Sequence, residues 1–272
     1  LGGGAIFGRA FGSMKIVNVD FINNEGPLSA SDDCGAVHTI LYKEVIFSNC
    51  TFRNNRGANG GAVGTIGSAM FFTNCSFYNN SATGTGGTFD KGGSGGAIYV
   101  DGVDQNGVTN FMSICGCTFN NNYSAYQAGA VNIIFYAGKG SYAKVDKCSF
   151  DNNRCAVDKG GAYYHMNGPL TLSNSTFSNN SSPTIGGAFW CSNTKLDLSN
   201  STFYNNQAVS GNNGLGGAIG LDGSGTEKTA TIKNCTFAEN RAGNFASVIM
   251  NGVNLSLSNS LFYNNKIGKT IS

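Results

Sequence analysis

Proline is almost missing from this chain, at 3 of 272 residues, and charge is scarce, at 12%. That is about half the usual charged share, so repulsion between like charges does not keep the chain unfolded. The 17 basic and 15 acidic residues leave a formal net charge of +2 and are scattered along the whole length. No basic cluster or stripe is present, which removes the electrostatic footprint of a nucleic-acid binder. No apolar run approaches the roughly 18 residues of a membrane-spanning helix. Histidine occurs only at His38 and His165. The opening Leu1-Gly2-Gly3-Gly4-Ala5-Ile6 has no initiator methionine and neither region of a signal peptide, which reads as a mature or partial chain.

Cysteine and glycine are plentiful. Nine cysteines match no zinc spacing, and Cys115-Gly116-Cys117 has neither a second pair nor a histidine pair beside it. Structural cysteines in an extracellular protein are the expectation, with the odd count leaving at least one unpaired. The 40 glycines follow no collagen-like period of three.

Internal repetition organises the whole chain. Phe-x-Asn-Asn or a near copy occurs nine times, at Phe21, Phe52, Phe77, Phe119, Phe150, Phe177, Phe203, Phe237 and Phe262. The shortest interval is 25 residues and the longest 42, so about 25 is the unit and the rest is insertion. Gly-Gly-Ala plus an apolar residue falls between these landmarks, as at Gly60–Val63, Gly95–Ile98, Gly160–Tyr163 and Gly216–Ile219. The two motifs alternate from end to end, which implies one domain over residues 1–272.

Within a unit the apolar residues alternate with period two rather than helically. In Leu170-Thr171-Leu172-Ser173-Asn174-Ser175-Thr176-Phe177, the leucine face and the phenylalanine face are out of phase by one residue. The chain must therefore turn at Ser173-Asn174, and asparagine tolerates the left-handed backbone such a corner needs. A further strand starts at Gly-Gly-Ala. Three short strands and three bends in about 25 residues make one coil of a parallel β-helix. The fold expected is all-β: a right-handed single-stranded parallel β-helix, a solenoid of about nine coils, with the handedness taken from the crossover rule.

Stacking assigns roles to the repeats. Phe52, Phe77, Phe119, Phe150, Phe177, Phe203, Phe237 and Phe262 are expected to form an interior column. The corner asparagines Asn49, Asn74, Asn174, Asn200 and Asn234 are expected to form a buried hydrogen-bonded ladder. A small-residue slot before each Thr/Ser-Phe holds cysteine or serine. Cys50 with Cys75, and Cys117 with Cys148, would fall in adjacent coils at a separation inside the disulfide window of roughly 4.4–6.8 Å. Two readings stand for these four: disulfides, or thiols filling a small buried slot.

The alternation of Gly-Gly-Ala-Ile/Val with Phe-x-x-Asn resembles the repeat of chlamydial polymorphic membrane proteins, surface-exposed adhesins of autotransporter type. The resemblance runs from Gly3 to Asn265 and implies a β-helical passenger at the cell surface. The membrane-anchoring barrel of that family is absent here, and the motif is architectural, so no site residue carries over.

β-Helices also host polysaccharide-cleaving enzymes, for which paired carboxylates are the signature. Asp101 and Asp222 occupy equivalent places, but the neighbouring coils put Ile66, Ile134, Ser192 and Asn251 there. Asp32-Asp33 reads as a turn and His165 as an accommodated strand residue. No catalytic, cofactor or metal residues are assigned, and an enzyme is not expected. Of ten Asn-x-Ser/Thr sequons, Asn254, Asn122 and Asn180 are the glycosylation candidates, the corner asparagines being reckoned too enclosed. The expected function is an extracellular structural rod: fibre subunit, stalk or adhesin passenger. The alternative is a carbohydrate-binding or polysaccharide-cleaving β-helix. Expected partners are a second copy end to end or a longer parent chain, together with a glycan or host-surface ligand. The inserts Ser81–Ser94 and Asp101–Gly107 are the expected contact loops.

Overall fold

The structure is a computed structural model that describes residues 2–29, 33–85, 91–102, 111–136, 140–209, 214–224, 229–245 and 247–268. One coil shows how the sequence folds. Its strands are Tyr163–Met166, Leu170–Ser173, Thr176–Ser178 and Ser181–Ser182. Each pairs in parallel with its counterpart one coil on: Tyr163 with Phe189, Leu170 with Leu196, Phe177 with Phe203, Ser181 with Gln207. Repetition gives three nine-stranded sheets and one eight-stranded sheet, every one in chain order. Nine coils at about 4.8 Å make a rod roughly 43 Å long.

The repeat pattern predicts three strands per coil, and the structure has four. The fourth is two residues long, too short to display a period, and its second residue is small and buried, as at Gly57, Ala82, Cys155 and Ala208. Left-handed residues separate the second, third and fourth strands. In the coil above these are Asn174 at φ 50 and Asn179 at φ 56. Each single residue of this kind reverses the in–out alternation, which keeps Leu172, Ser175, Phe177 and Asn180 all facing inward.

Gly-Gly-Ala opens the first strand for a steric reason. Gly160 is at φ +68, and a Cβ on Gly161 would collide with the carbonyl of Gly187 in the next coil. Small residues there let successive turns approach each other. Inside, the nine phenylalanines stack with ring centroids 4.5 to 5.1 Å apart and planes within 12° of parallel. Phe52 through Phe237 are fully buried, while Phe262, in the last coil, is 45% exposed.

Asparagine forms ladders at two kinds of place, and the burial expected from the sequence is reversed. The corner residues Asn49, Asn74, Asn174, Asn200 and Asn234 are exposed. Their amides link coils on the outside, Asn234 donating to Asn200 at 3.1 Å and Asn200 to Asn174 at 3.3 Å. The buried ladder is the last asparagine of Phe-x-Asn-Asn. Asn180 donates to the Phe150 carbonyl at 2.9 Å and to Asn206 Oδ1 at 3.0 Å, while its own Oδ1 accepts from the Asn153 backbone and side chain. The left-handed corner turns its side chain outward, and the residue after it turns inward. The two series also run in opposite directions. In the asparagine-to-asparagine bonds, each buried amide donates to the following coil, keeping its other N–H for a phenylalanine carbonyl of the preceding one, and each exposed amide donates to the preceding coil.

Candidate functional surface

The positions singled out in the sequence fall into three settings. Asn122 and Asn180, expected to accept glycans, are rungs of the buried ladder at 1% and 0% exposure, each with its amide in use. Both are excluded as acceptors in the folded chain. Asn254 lies exposed on the ninth strand of the second sheet, Asn254–Ser258. The five corner asparagines, reckoned too enclosed, stand on the surface instead. Of the two expected contact loops, residues 86–90 and 103–107 lie outside the described residues, as does Asp32.

Cys50, Cys75, Cys117 and Cys148 stack in consecutive coils as one column of thiols rather than as two disulfides. The reason is local. Each Sγ points back across the asparagine, glycine or lysine corner to the carbonyl two residues earlier, at 3.3, 3.4, 3.4 and 3.2 Å. Ser175, Ser201 and Ser260 make the same bond at 2.7, 2.8 and 2.9 Å. The neighbouring backbone N–H also uses the slot side chain as acceptor: Cys75 donates to Cys117 Sγ, and Cys148 to Ser175 Oγ. Cysteine and serine interchange here because both give a second hydrogen bond to a corner carbonyl that already accepts a backbone N–H from the preceding coil, as the Asp146 carbonyl does from Gly116 at 3.0 Å.

The interior polar groups are poorly suited to chemistry. His165 and Cys191 are direct neighbours across the first sheet. Burial holds the His165 imidazole down to about 4, against hydrogen bonding to the Gly168 and Asn167 carbonyls. Burial pushes the Cys191 thiol far up, and the charge of Asp222 pushes the same way. Both are therefore neutral at pH 7 and closed off from solvent. Asp101 pairs with Ile66 and Ile134, and Asp222 with Ser192 and Asn251, so neither has a carboxylate as its register partner on an adjacent strand. Among the described residues no three His, Cys, Asp or Glu side chains converge as metal ligands, and no helix is long and apolar enough to cross a membrane.

The outer face of the second sheet breaks the pattern. Its strands run from Ser13–Val17 through Met70–Thr73, Phe111–Cys115 and Tyr142–Asp146 to Asn254–Ser258. Alternation sends Met70, Phe72, Met112, Ile114, Ala143 and Val145 inward. It sends Phe71, Phe111 and Tyr142 outward, where they touch one another along the rod. The Phe71 and Phe111 centroids are 5.2 Å apart at 66°, and those of Phe111 and Tyr142 are 4.4 Å apart at 40°. Tyr142 is 47% exposed. Lys144 stands beside it on the same outward face. The signal was legible in the alternation: Met-Phe-Phe-Thr puts one ring on each side of a strand.

A family model described as the right-handed β-helix region matches residues 88–267. The chain belongs to this family. Its coils therefore wind as right-handed β-helix turns, in agreement with the crossover argument. The solved structure of the Streptococcus pneumoniae surface protein and adhesin PfbA aligns with this right-handed β-helix at 12% identity and a TM-score of 0.41, covering 92% of this chain and 74% of that one. No curated protein matches the sequence.

Proposed function

We propose that this right-handed β-helix is a non-catalytic rod that works outside the cell, as a stalk, fibre subunit or adhesin passenger. The observation that carries the reading is where the polar residues go. Asparagine, serine and cysteine side chains are consumed in coil-to-coil bonds and corner caps, and among the described residues no three acidic, histidine or cysteine side chains converge. A molecule built this way invests its chemistry in length and stiffness. The resemblance of its repeats to those of chlamydial polymorphic membrane proteins supports a place at the cell surface. Contact through the rod axis, with a second copy or with further coils of a parent chain, belongs to the same reading.

Two measurements test it together. Electron microscopy of the purified protein should show slender rods about 43 Å long or integral multiples of that length. Antibody against the chain should label intact, unpermeabilised cells of its source. Compact particles, or label that appears only after permeabilisation, would sink the proposal.

A second reading, carbohydrate binding, is favoured by one feature, the row of outward rings on the second sheet.

A further inference from the structure

We infer that the outer face of the second sheet is a docking strip for a linear anionic polysaccharide laid along the rod axis. The inference rests on the reading of the chain as an extracellular rod and adds a ligand class to it. Three observations on this face converge.

The first is the aromatic row. Phe71, Phe111 and Tyr142 come from three successive coils and lie in contact, spanning about 10 Å of the rod. The first sheet also carries outward aromatics in contact, Tyr164 and Trp190, but they are buried, whereas on the second sheet the row reaches the surface at Tyr142, 47% exposed. Here they form a raised apolar ridge between hydroxyl-bearing neighbours, Thr73 on the strand of Phe71 and Ser113 on that of Phe111. A sugar ring has the matching surface, with C–H groups on its flat faces and hydroxyls at its edge.

The second is charge. Lys15, Lys43, Lys144, Lys147, Lys195 and Lys233 all belong to this face or its two edges, and all are exposed. Among the described residues, three acidic ones stand against these six, Glu44, Asp146 and Asp197. Of the three, Asp146 is occupied, accepting from Ser173 and Asn174 at 2.7 Å each. This single face thus carries more positive charge than the whole chain, whose net is +2.

The third is layout. A small anion needs cations that converge on a point. These lysines instead follow the rod from the first coil to the eighth, on strands Ser13–Val17, Tyr142–Asp146 and Thr229–Lys233 and their connections. That layout matches a polymer with repeating negative groups. The face bears no arginine. Protein hot spots favour arginine and tryptophan over lysine, and bidentate phosphate recognition favours arginine. The rings also lean on one another at 66° and 40°, which leaves no stepped platform on which successive nucleotide bases could stack. Lysine is a point charge without a planar match, which suits carboxylate or sulfate groups carried on a sugar chain.

The test uses the 272-residue chain with four probes: alginate as a carboxylated polysaccharide, heparin as a sulfated one, dextran as a neutral one, and oligo-dT. Binding is measured by calorimetry at 50 and 200 mM salt. At least one of the two polyanions should bind, more weakly at higher salt, and which of them binds tells carboxylate from sulfate recognition. Lys144→Glu and Tyr142→Ser should each weaken that binding by about fivefold or more, with melting temperatures unchanged because both side chains face outward. Arg154→Glu, on the fourth sheet, should leave it unaltered. No binding to either polyanion overturns the inference. So does equal loss with Arg154→Glu, which would mean unspecific attraction, and so does tighter binding of dextran or oligo-dT. Rods seen by microscopy without polysaccharide binding would remove this inference and leave the proposed function standing.

Discussion

At the scale of the residue, the structure separates asparagines that the sequence makes look alike. Asn174 and Asn180 both lie in sequons, six residues apart, and only the backbone distinguishes them. Asn180→Ala removes donors to Phe150 and Asn206 and the acceptor used by Asn153, at a fully buried position. The expected cost is about 3 kcal/mol or more. Asn174→Ala loses two exposed contacts, the bond to Asp146 and the one from Asn200, and places alanine at φ 50, at a cost of about 1–2 kcal/mol. Denaturant titration of the two variants should preserve that order. The slot makes a second comparison. Cys148→Ser keeps the bond to the Asp146 carbonyl and should cost under about 1 kcal/mol, whereas Cys148→Val, equally apolar, leaves that carbonyl only the Gly116 N–H and should cost about 0.5–1.5 kcal/mol more than the serine. His165 makes a third. Its ordinary value is 6.5 and its folded value about 4, so the unfolded chain takes up the proton first as pH falls. Stability should then decline between about pH 6.5 and pH 4, by up to about 3 kcal/mol. Asp146 is a separate matter. Burial opposes its charge, but hydrogen bonds from Asn174 and Ser173 outweigh that and hold it below 3.8, so its contribution is lost only under more acid conditions. Equilibrium unfolding of His165→Leu across pH 4 to 7 should lose the upper part of the slope.

At the scale of the element, most of the rod could be read beforehand. Phe-x-Asn-Asn marked the third strand, Gly-Gly-Ala the first, and the phase break at Asn174 the corner between the second and third. Those features were legible because period-two alternation and left-handed tolerance are written into residue types. The fourth strand was not, since two residues such as Ser181-Ser182 carry no period. Which asparagine faces inward was not legible either. Adjacent residues in Asn-Asn differ only in φ, and a left-handed corner exchanges inside for outside. The ridge of Phe71, Phe111 and Tyr142 was present in the alternation but is recognisable as a row only once the register joins three coils separated by long insertions. The phenylalanine column yields the plainest prediction here. Phe177→Ala should cost about 3–5 kcal/mol, seen as a lowered melting temperature, because rings from both adjacent coils stack on it at 4.5 and 4.9 Å.

At the scale of the whole molecule, the outside of the rod divides into rows that can take a bulky modification and rows that cannot. If the chain is secreted from a eukaryotic host, glycan should be found on folded protein at exposed sequons such as Asn74, Asn174 or Asn254. None should be found at Asn122 or Asn180. Peptide mapping of the soluble product checks this, and glycan at Asn180 in folded material would contradict the buried ladder.

The opposed ladders also bear on the charge presented at the two tips of the rod. Every side-chain amide is a small dipole, and a row of them pointing one way adds up, as peptide units do in a helix. With the buried row alone, the dipoles would sum head to tail and leave opposite partial charges on the two tips. Here the inner row points up the axis and the outer rows point down it. Their dipoles oppose one another coil by coil, so each tip of the rod is left with a smaller partial charge than the buried row alone would give it.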